Sequence, residues 1–192
     1  MKRTTSILIT AAVLFASCGG GSSREKAQAK AECDSMLTAY HYADSLYAAC
    51  GRIDTLAFQD FIERATAYAE KHPGDSLAAD MLFRAGVGSM IMAKSADKSG
   101  NVEARARNCK RALAIFHQFQ DDFPDHPQAK LCYWQRAIVY DDILGDWRSA
   151  EIEYRDFINR YPNDSLTPVF QQYITLLGKS ESEIEEMLAI DR

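Results

Sequence analysis

The stretch AKLCYWQRAIVYDDILGDWRSAEIEYRDFINRYPND, residues 129–164, carries the pattern that decides the fold. Near the end of this stretch stands Pro162. Ala150, Tyr154 and Phe157 precede that proline at offsets that lie along one face of a helix. Proline cannot continue a helix, and it biases the residue before it away from the helical region. The pattern therefore predicts an amphipathic helix that buries an aromatic stripe and ends at the proline.

The same pattern occurs twice more, nearer the N-terminus. HPGDSL (residues 72–77) and FPDHPQA (residues 123–129) are related to YPNDSL (residues 161–166). The residues expected to be buried at the same offsets before Pro73 and Pro124 are Phe61, Ala65, Tyr68, Ala112, Phe116 and Phe119. Aspartate and serine after each proline can accept hydrogen bonds from the first-turn amides of a new helix. Each turn is thus predicted to end one helix and begin the next.

Extending this pattern along the chain predicts an all-α protein with antiparallel neighbouring helices. The predicted helices cover residues 26–50, 55–71, 76–96, 102–122, 127–144, 146–160, 165–177 and 183–190. No window alternates apolar and polar residues long enough to predict a strand. Hydrophobic residues make up 47% of the sequence, which is enough for a core.

Helix pairs with these aromatic, alanine and proline positions resemble tetratricopeptide (TPR) repeats, whose period is about 34 residues. The resemblance implies helix pairs stacked as a short right-handed solenoid, with Ala137 and Tyr140 packing on the first helix of the best-matching unit. The implied units are a degenerate one at 33–74, a lengthened one at 77–125, one at 129–164, and C-terminal helices at 165–190.

Two departures from the TPR consensus narrow the resemblance. The prolines lie further apart than the period of about 34 residues, and Phe or Tyr stands five places before each proline, where a small residue is usual. With the YP and FP endings, these features resemble the longer-helix repeats of BamD-like outer-membrane assembly lipoproteins and of the periplasmic TPR proteins that accompany the Tol-Pal system. The resemblance implies a protein-binding scaffold in outer-membrane protein assembly or envelope maintenance.

The N-terminus predicts export and lipid attachment. After Lys2 and Arg3, residues 6–17 form an apolar run of about a dozen, the length of a secretory signal and short of the ~20 that span a bilayer. LFASC, ending at Cys18, resembles the lipobox of bacterial lipoproteins, although Phe15 stands where leucine is usual. The predicted organisation is a signal peptide at 1–17, an acylated Cys18 with a flexible glycine- and serine-rich tether at 18–32, and a helical domain at 33–192. Ordinary signal cleavage, with Cys18 incidental, is the alternative.

The lipobox resemblance implies a location in the cell envelope, anchored to the outer membrane, with the periplasmic side favoured over the cell surface. The net charge of −5 argues against nucleic acid as a partner and against a polybasic membrane patch. The lipid alone would anchor the protein to the membrane. The expected partner is an envelope protein or peptide.

Motifs for catalysis, metals and cofactors were not found, so neither an enzyme nor a cofactor is predicted. The histidines, His41, His72, His117 and His126, have no ligand spacing for a metal. The adjacent carboxylates Asp141 and Asp142 diverge by about 100° on a helix and are predicted to be solvated. The cysteines Cys33, Cys50, Cys109 and Cys132 form no CxxC and are interpreted as small buried apolar residues, while a disulfide such as Cys33 with Cys109 stays open.

The partner surface is predicted from solenoid geometry, in which the first helix of each pair lines the inner face. The predicted contact residues are Lys130, Gln135, Arg136 and Gln171. The aromatics Trp134, Tyr140, Trp147 and Tyr154 belong either to the repeat core or to a peptide groove, and the sequence does not sort them. A small-molecule or glycan-binding lipoprotein is the alternative function, and a redox or enzymatic factor has less support.

Lipidation is directly testable. Replacing Cys18 by serine removes the thiol that the acyl chain would modify, so Cys18→Ser should move the protein from membrane pellets to the soluble periplasm and abolish incorporation of a lipid label. Unchanged pelleting with an unchanged label would contradict the lipoprotein hypothesis.

Overall fold

A computed structural model describes residues 22–190, and that part of the chain consists of helices without strands. The helices are α1 (Ser23–Cys50), α2 (Thr55–Lys71), α3 (Ser76–Lys98), α4 (Val102–Asp122), α5 (Leu131–Ile138) continuing into a π-helical turn (Val139–Ile143), α6 (Trp147–Arg160), α7 (Thr167–Leu176) and α8 (Glu181–Ile190). The predicted all-α, TPR-like fold is confirmed.

The three turns before the prolines share one backbone conformation. His72, Phe123 and Tyr161 have φ of −126°, −133° and −129°, with ψ of 58°, 54° and 58°. Proline disfavours the helical region for the residue before it, so α2, α4 and α6 end at the same point of the motif. Asp75 then caps α3 by accepting a hydrogen bond from the backbone amide of Leu77.

α1 begins earlier than the sequence analysis predicted. The tether was predicted over 18–32, but residues 23–32 are helical. The cause is a capping box, in which the Ser22 hydroxyl accepts from the amide of Glu25 and the Glu25 carboxylate accepts from the amide of Ser22. The signal peptide, Cys18 and the first tether residues lie outside the described residues.

Two other helices begin later than predicted. Residues 127–130 form successive tight turns instead of the start of α5, with the Ala129 amide donating to the His126 carbonyl at 2.8 Å. Residues 165 and 166 likewise precede α7, because the Thr167 amide donates to the Asp164 carbonyl at 3.0 Å. Such i+3 bonds tighten the chain and postpone the α-helical ladder.

The core has two parts. The larger part lies among α1 to α5 and the π-helical turn, and the smaller one joins α5, α6 and α7 around Phe157 and Phe170. The residues at the aromatic offsets lie in these cores: Phe61, Ala65, Tyr68, Ala112, Phe116, Phe119, Ala137, Ala150, Tyr154 and Phe157 are buried. Tyr140 is only partly buried, since it lies in the π-helical turn at the edge of the smaller core.

α3 is the central helix of the larger core. Among the described residues it alone has the length and mean hydropathy of a membrane span, by length and composition only. Its most apolar window is 67% buried within the protein, between α2 and α4 on either side, as expected of a core helix. Ala85, Gly86 and Gly88 keep its surface narrow, so neighbouring rings approach its backbone.

Gly86 is predicted to be essential for that close approach. A Cβ there would lie 2.6 Å from Cε1 of the buried Phe116 ring, so Gly86→Ala should lower the free energy of unfolding by about 1 to 3 kcal/mol, despite alanine's higher helix propensity. Gly88→Ala is the matched control, because its nearest contact is 3.3 Å. In the background of Phe116→Leu, which removes the clashing ring, Gly86→Ala should cost less stability than it does in the native chain. If denaturant melts show that the losses of the two single variants simply add in the double variant, the packing described here is contradicted.

Candidate functional site

A cleft of about 740 Å³ opens beside the C-terminal repeat, and we call it the aromatic cleft. α5, the π-helical turn, α6, α7 and the start of α8 form its walls. The apolar and aromatic residues that line it are Trp134, Ile138, Trp147, Tyr154, Tyr173, Leu176, Leu177 and Ile184. This volume lies within the roughly 300–1,000 Å³ range typical of ligand sites.

The π-helical turn shapes one wall of the aromatic cleft. The Leu144 amide donates to the carbonyl of Val139, five residues earlier, and the Asp146 amide donates to Tyr140 at 2.8 Å. Gly145, with φ of 68°, closes the turn in a left-handed conformation that favours glycine. The widened turn brings Asp141 and Asp142 to the cleft wall together. Such turns occur often at functional sites.

The charged residues that line the cleft are the two carboxylates Asp141 and Asp142 and the base Lys179. Asp142 forms an ion pair with Lys94 of α3 at 3.4 Å. Asp141 forms no ion pair within the described residues, and burial together with the neighbouring charge of Asp142 raises the pKa of its carboxyl. Burial also raises the pKa of the Tyr154 phenol, and Asp141 adds to that effect. A positive charge placed beside these two carboxylates would be attracted to them.

Packed aromatic rings form the floor of the cleft. Tyr154 packs on Phe170 and Tyr173 with ring centroids 5.1 and 5.8 Å apart. At the mouth, Trp147 is 37% and Tyr173 is 36% exposed, so both offer apolar surface to a ligand. The guanidinium of Arg148 lies 4.5 Å from the centroid of Trp147 and covers one face of the indole.

The predicted contact surface is corrected at Arg136. This residue is 2% exposed, and its guanidinium donates to both carboxylate oxygens of Glu153, at 2.9 and 2.6 Å, and to Gln120. The guanidinium also lies over the ring of Tyr133, with its Cζ atom 4.9 Å from the ring centroid. Arg136 therefore ties α5 to α6 and α4 inside the protein, and it does not present a charge to a partner.

The other predicted contact residues do not form one surface either. Lys130 is engaged by Asp164 at 2.6 Å across the repeat, and this bond holds the pKa of the Asp164 carboxyl below its usual range. Gln171 is exposed, but it lines a separate small groove with Arg155 and Ile174. Gln135 is partly buried on α5. None of these residues lines the aromatic cleft.

Within residues 22–190 no group of His, Cys, Asp and Glu side chains could hold a metal ion, and the four cysteines form no disulfide. Cys33, Cys109 and Cys132 are free and buried, and burial raises the pKa of the Cys132 thiol to about 12, which makes it a poor nucleophile. Cys50 is also free, but it is exposed, contrary to the prediction of a buried residue. It lies in the last turn of α1, beyond the packed part of that helix.

A comparison with known protein families identifies a tetratricopeptide repeat over residues 131–164. The chain contains a TPR repeat. That segment comprises α5, the π-helical turn, α6 and the turn at Pro162, so it supplies Trp134, Trp147 and Tyr154 to the cleft. No curated protein matches the chain.

The effects of replacing Arg136 and Glu153, the two partners of the buried ion pair, on the free energy of unfolding should be strongly coupled. Because Arg136→Met leaves Glu153 charged and unpaired in the interior, we expect it to lower the free energy of unfolding by about 3–5 kcal/mol. The double variant Arg136→Met with Glu153→Leu should lose much less, since it leaves no orphaned charge.

The matched control is Arg155→Met, which removes an exposed ion pair with Glu151 from the same region. It should change stability by less than about 1 kcal/mol. Equal losses for Arg136→Met and Arg155→Met in urea melts would contradict a structural role for Arg136.

Proposed function

We propose that the protein is a lipid-anchored TPR scaffold of the cell envelope that binds a partner protein through the aromatic cleft. The cleft is the observation that carries the proposal, because it combines exposed aromatic surface with the carboxylate of Asp141, which forms no ion pair within the described residues. The TPR repeat and the all-helical fold support an interaction scaffold, since such folds are typically not enzymes.

The occupant that fits best is a segment of partner protein carrying lysine or arginine beside an apolar side chain. The apolar side chain would contact Trp147 and Tyr173, residue types that dominate binding energies at interface centres. The basic group would meet Asp141, whose carboxylate has no cation of its own among the described residues. Cation–π contact with the ring of Tyr154 or Tyr173 adds a further attraction.

The envelope location rests on the N-terminal sequence. The lipobox-like LFASC and the apolar run before it support export and acylation of Cys18. The resemblance of the repeats to BamD-like lipoproteins supports a role in outer-membrane protein assembly or envelope maintenance. A periplasmic orientation would place the aromatic cleft where newly exported proteins and other envelope proteins reach it.

A glycan-binding lipoprotein is the second candidate. Aromatic faces next to paired carboxylates can also stack on a sugar ring and accept hydrogen bonds from its hydroxyls, and the cleft has the volume for one. The TPR repeat favours the protein partner, since such repeats generally mediate protein interactions.

A photocrosslinking amino acid at Tyr173 tests the proposal in living cells. We expect a crosslinked protein from this position and none from Leu56, a control on α2 that is more accessible, with 80% of its surface exposed against 36% for Tyr173. Asp141→Lys should abolish the crosslink through repulsion of the basic segment, whereas Asp121→Lys, an exposed charge reversal on α4, should not.

The crosslinked segment, made as a peptide, should then bind the purified full chain and lose affinity by at least roughly tenfold with Asp141→Lys, as truncated charge pairs do. Because the pKa of the Asp141 carboxyl is raised, binding should weaken on acidification sooner than for an ordinary surface carboxyl. Equal crosslinking from Tyr173 and Leu56, or a crosslink to glycan alone, would overturn the protein-partner proposal.

A further inference from the structure

The last helix, α8 (Glu181–Ile190), lies at the edge of the aromatic cleft, and none of its described side chains belongs to either core. Its start is fixed at the mouth of the cleft, where a Cβ on Gly178 would lie 3.3 Å from the ring of Trp147. Ile184 lines the cleft, whereas Met187, one turn further on, does not. The helix therefore begins in the candidate partner site and leads away from it.

α8 is not needed to complete the stack of helices. The preceding helix, α7, already presents exposed polar residues to solvent, namely Gln171, Gln172 and Thr175, as the last helix of a solenoid should. α8 does not pack along the length of any other helix in the described chain. Because it has only 10 residues, it is marginally stable in water without such packing. A helix of this kind needs a surface to pack against.

The apolar face of α8 continues the apolar surface of the cleft. Ile184 is partly buried in the cleft lining, and Met187 is 36% exposed. The two residues are three positions apart, so they share one face of the helix. Glu186 is exposed and lies about 160° around the helix from Ile184, since successive residues are about 100° apart. The helix thus has an apolar face toward the cleft and an acidic face away from it.

The charge of α8 is strongly negative. It carries Glu181, Glu183, Glu185 and Glu186, and residues 181–190 contain no lysine or arginine. Hydrogen bonds from Ser180 lower the pKa of the Glu183 carboxyl, and the positive charge of Lys179 adds to that effect, so this base lies beside a carboxylate of α8. Like charges repel, so the glutamates of α8 and the pair Asp141 and Asp142 oppose packing of α8 onto the empty cleft wall.

We propose that α8 is the second wall of the partner-binding surface and lies along the segment of partner protein that the aromatic cleft holds. Ile184 and Met187 contact an apolar side chain of that segment, in addition to the aromatic contacts within the cleft. The glutamates of α8 attract basic side chains beyond the one that meets Asp141. The partner segment is therefore basic at more than one position. This inference rests on the proposed function, since it assigns a second contact to the same partner.

Charge complementarity selects this occupant over a second copy of the chain. A second copy has the same net charge of −5 and would bring its own glutamates to those of α8. A basic segment between α8 and the cleft wall replaces the repulsion between two sets of carboxylates by attraction to both. Because the glutamates are at the surface, this attraction weakens as the salt concentration rises.

A photocrosslinking amino acid at Met187 tests the second wall in living cells, with Glu186 as the matched control. The two are exposed neighbours on α8, but only Met187 shares the face of Ile184. We expect Met187 to crosslink to the same protein as Tyr173, within the same segment when the sites are located by mass spectrometry. Glu186 should give little of that product.

Substitutions on α8 measure its contribution to affinity in the purified full chain. The probe is a synthetic peptide of the segment that crosslinks to Tyr173. Met187→Ser should weaken binding about fivefold through loss of apolar contact, and Met187→Leu, which keeps that contact, should retain most of the affinity. Glu185→Lys should weaken binding by roughly tenfold and reduce its dependence on salt. Both positions are exposed, so the melting temperature of the free chain should change little.

Amide hydrogen exchange gives a reading that needs no substitution. Addition of the same peptide should slow exchange in residues 183–190, because α8 then packs on the bound segment and opens less often. The exchange of α1, which is remote from the cleft lining, should stay unchanged.

The outcomes separate this inference from the proposed function. No crosslinked protein from Tyr173 would overturn both. A product from Tyr173 with equal products from Met187 and Glu186, or native peptide affinity in both Met187→Ser and Glu185→Lys, would overturn the second wall and leave the cleft in place. A product joining Met187 to a second copy of this chain would identify a homodimer contact and would also overturn it.

Discussion

The steric constraint that proline places on the residue before it sets the course of this chain. At His72, Phe123 and Tyr161 the backbone leaves the helical region in the same way, and the following residues start a helix in the opposite direction. The aromatic or alanine residues one, two and three turns before each proline then face the neighbouring helix. Without these fixed reversals, the buried faces would not meet.

A buried polar contact joins the two cores that this course produces. Gln120 of α4, Arg136 of α5 and Glu153 of α6 form one hydrogen-bonded group between the larger and the smaller core. An apolar contact of the same volume could be equally stable. The hydrogen bonds of Arg136 to Glu153 and to Gln120 link the C-terminal repeat to α4. The aromatic cleft is built on that repeat.

The helices and the buried aromatic stripe could be predicted from the sequence because each depends on local spacing. Arg136 could not, because the sequence of α5 gives no sign that Glu153, seventeen positions later, lies opposite it. Asp141 and Asp142 were expected to diverge, and they share a wall only because a π-helical turn replaces the α-helical one. No residue pattern predicted that turn.

The early start of α1 has a mechanical consequence. If Cys18 is acylated, only residues 19–22 separate the lipid from a helix, and four residues span at most about 14 Å. The 28-residue helix itself is about 42 Å long, and Cys33, Met36, Tyr40 and Ala43 anchor its middle in the core. The short linker and the helix would hold the domain close to the bilayer. A long flexible tether would let the domain move through a larger volume. On the short linker, the encounters of the domain would be confined to a thin layer along the membrane surface.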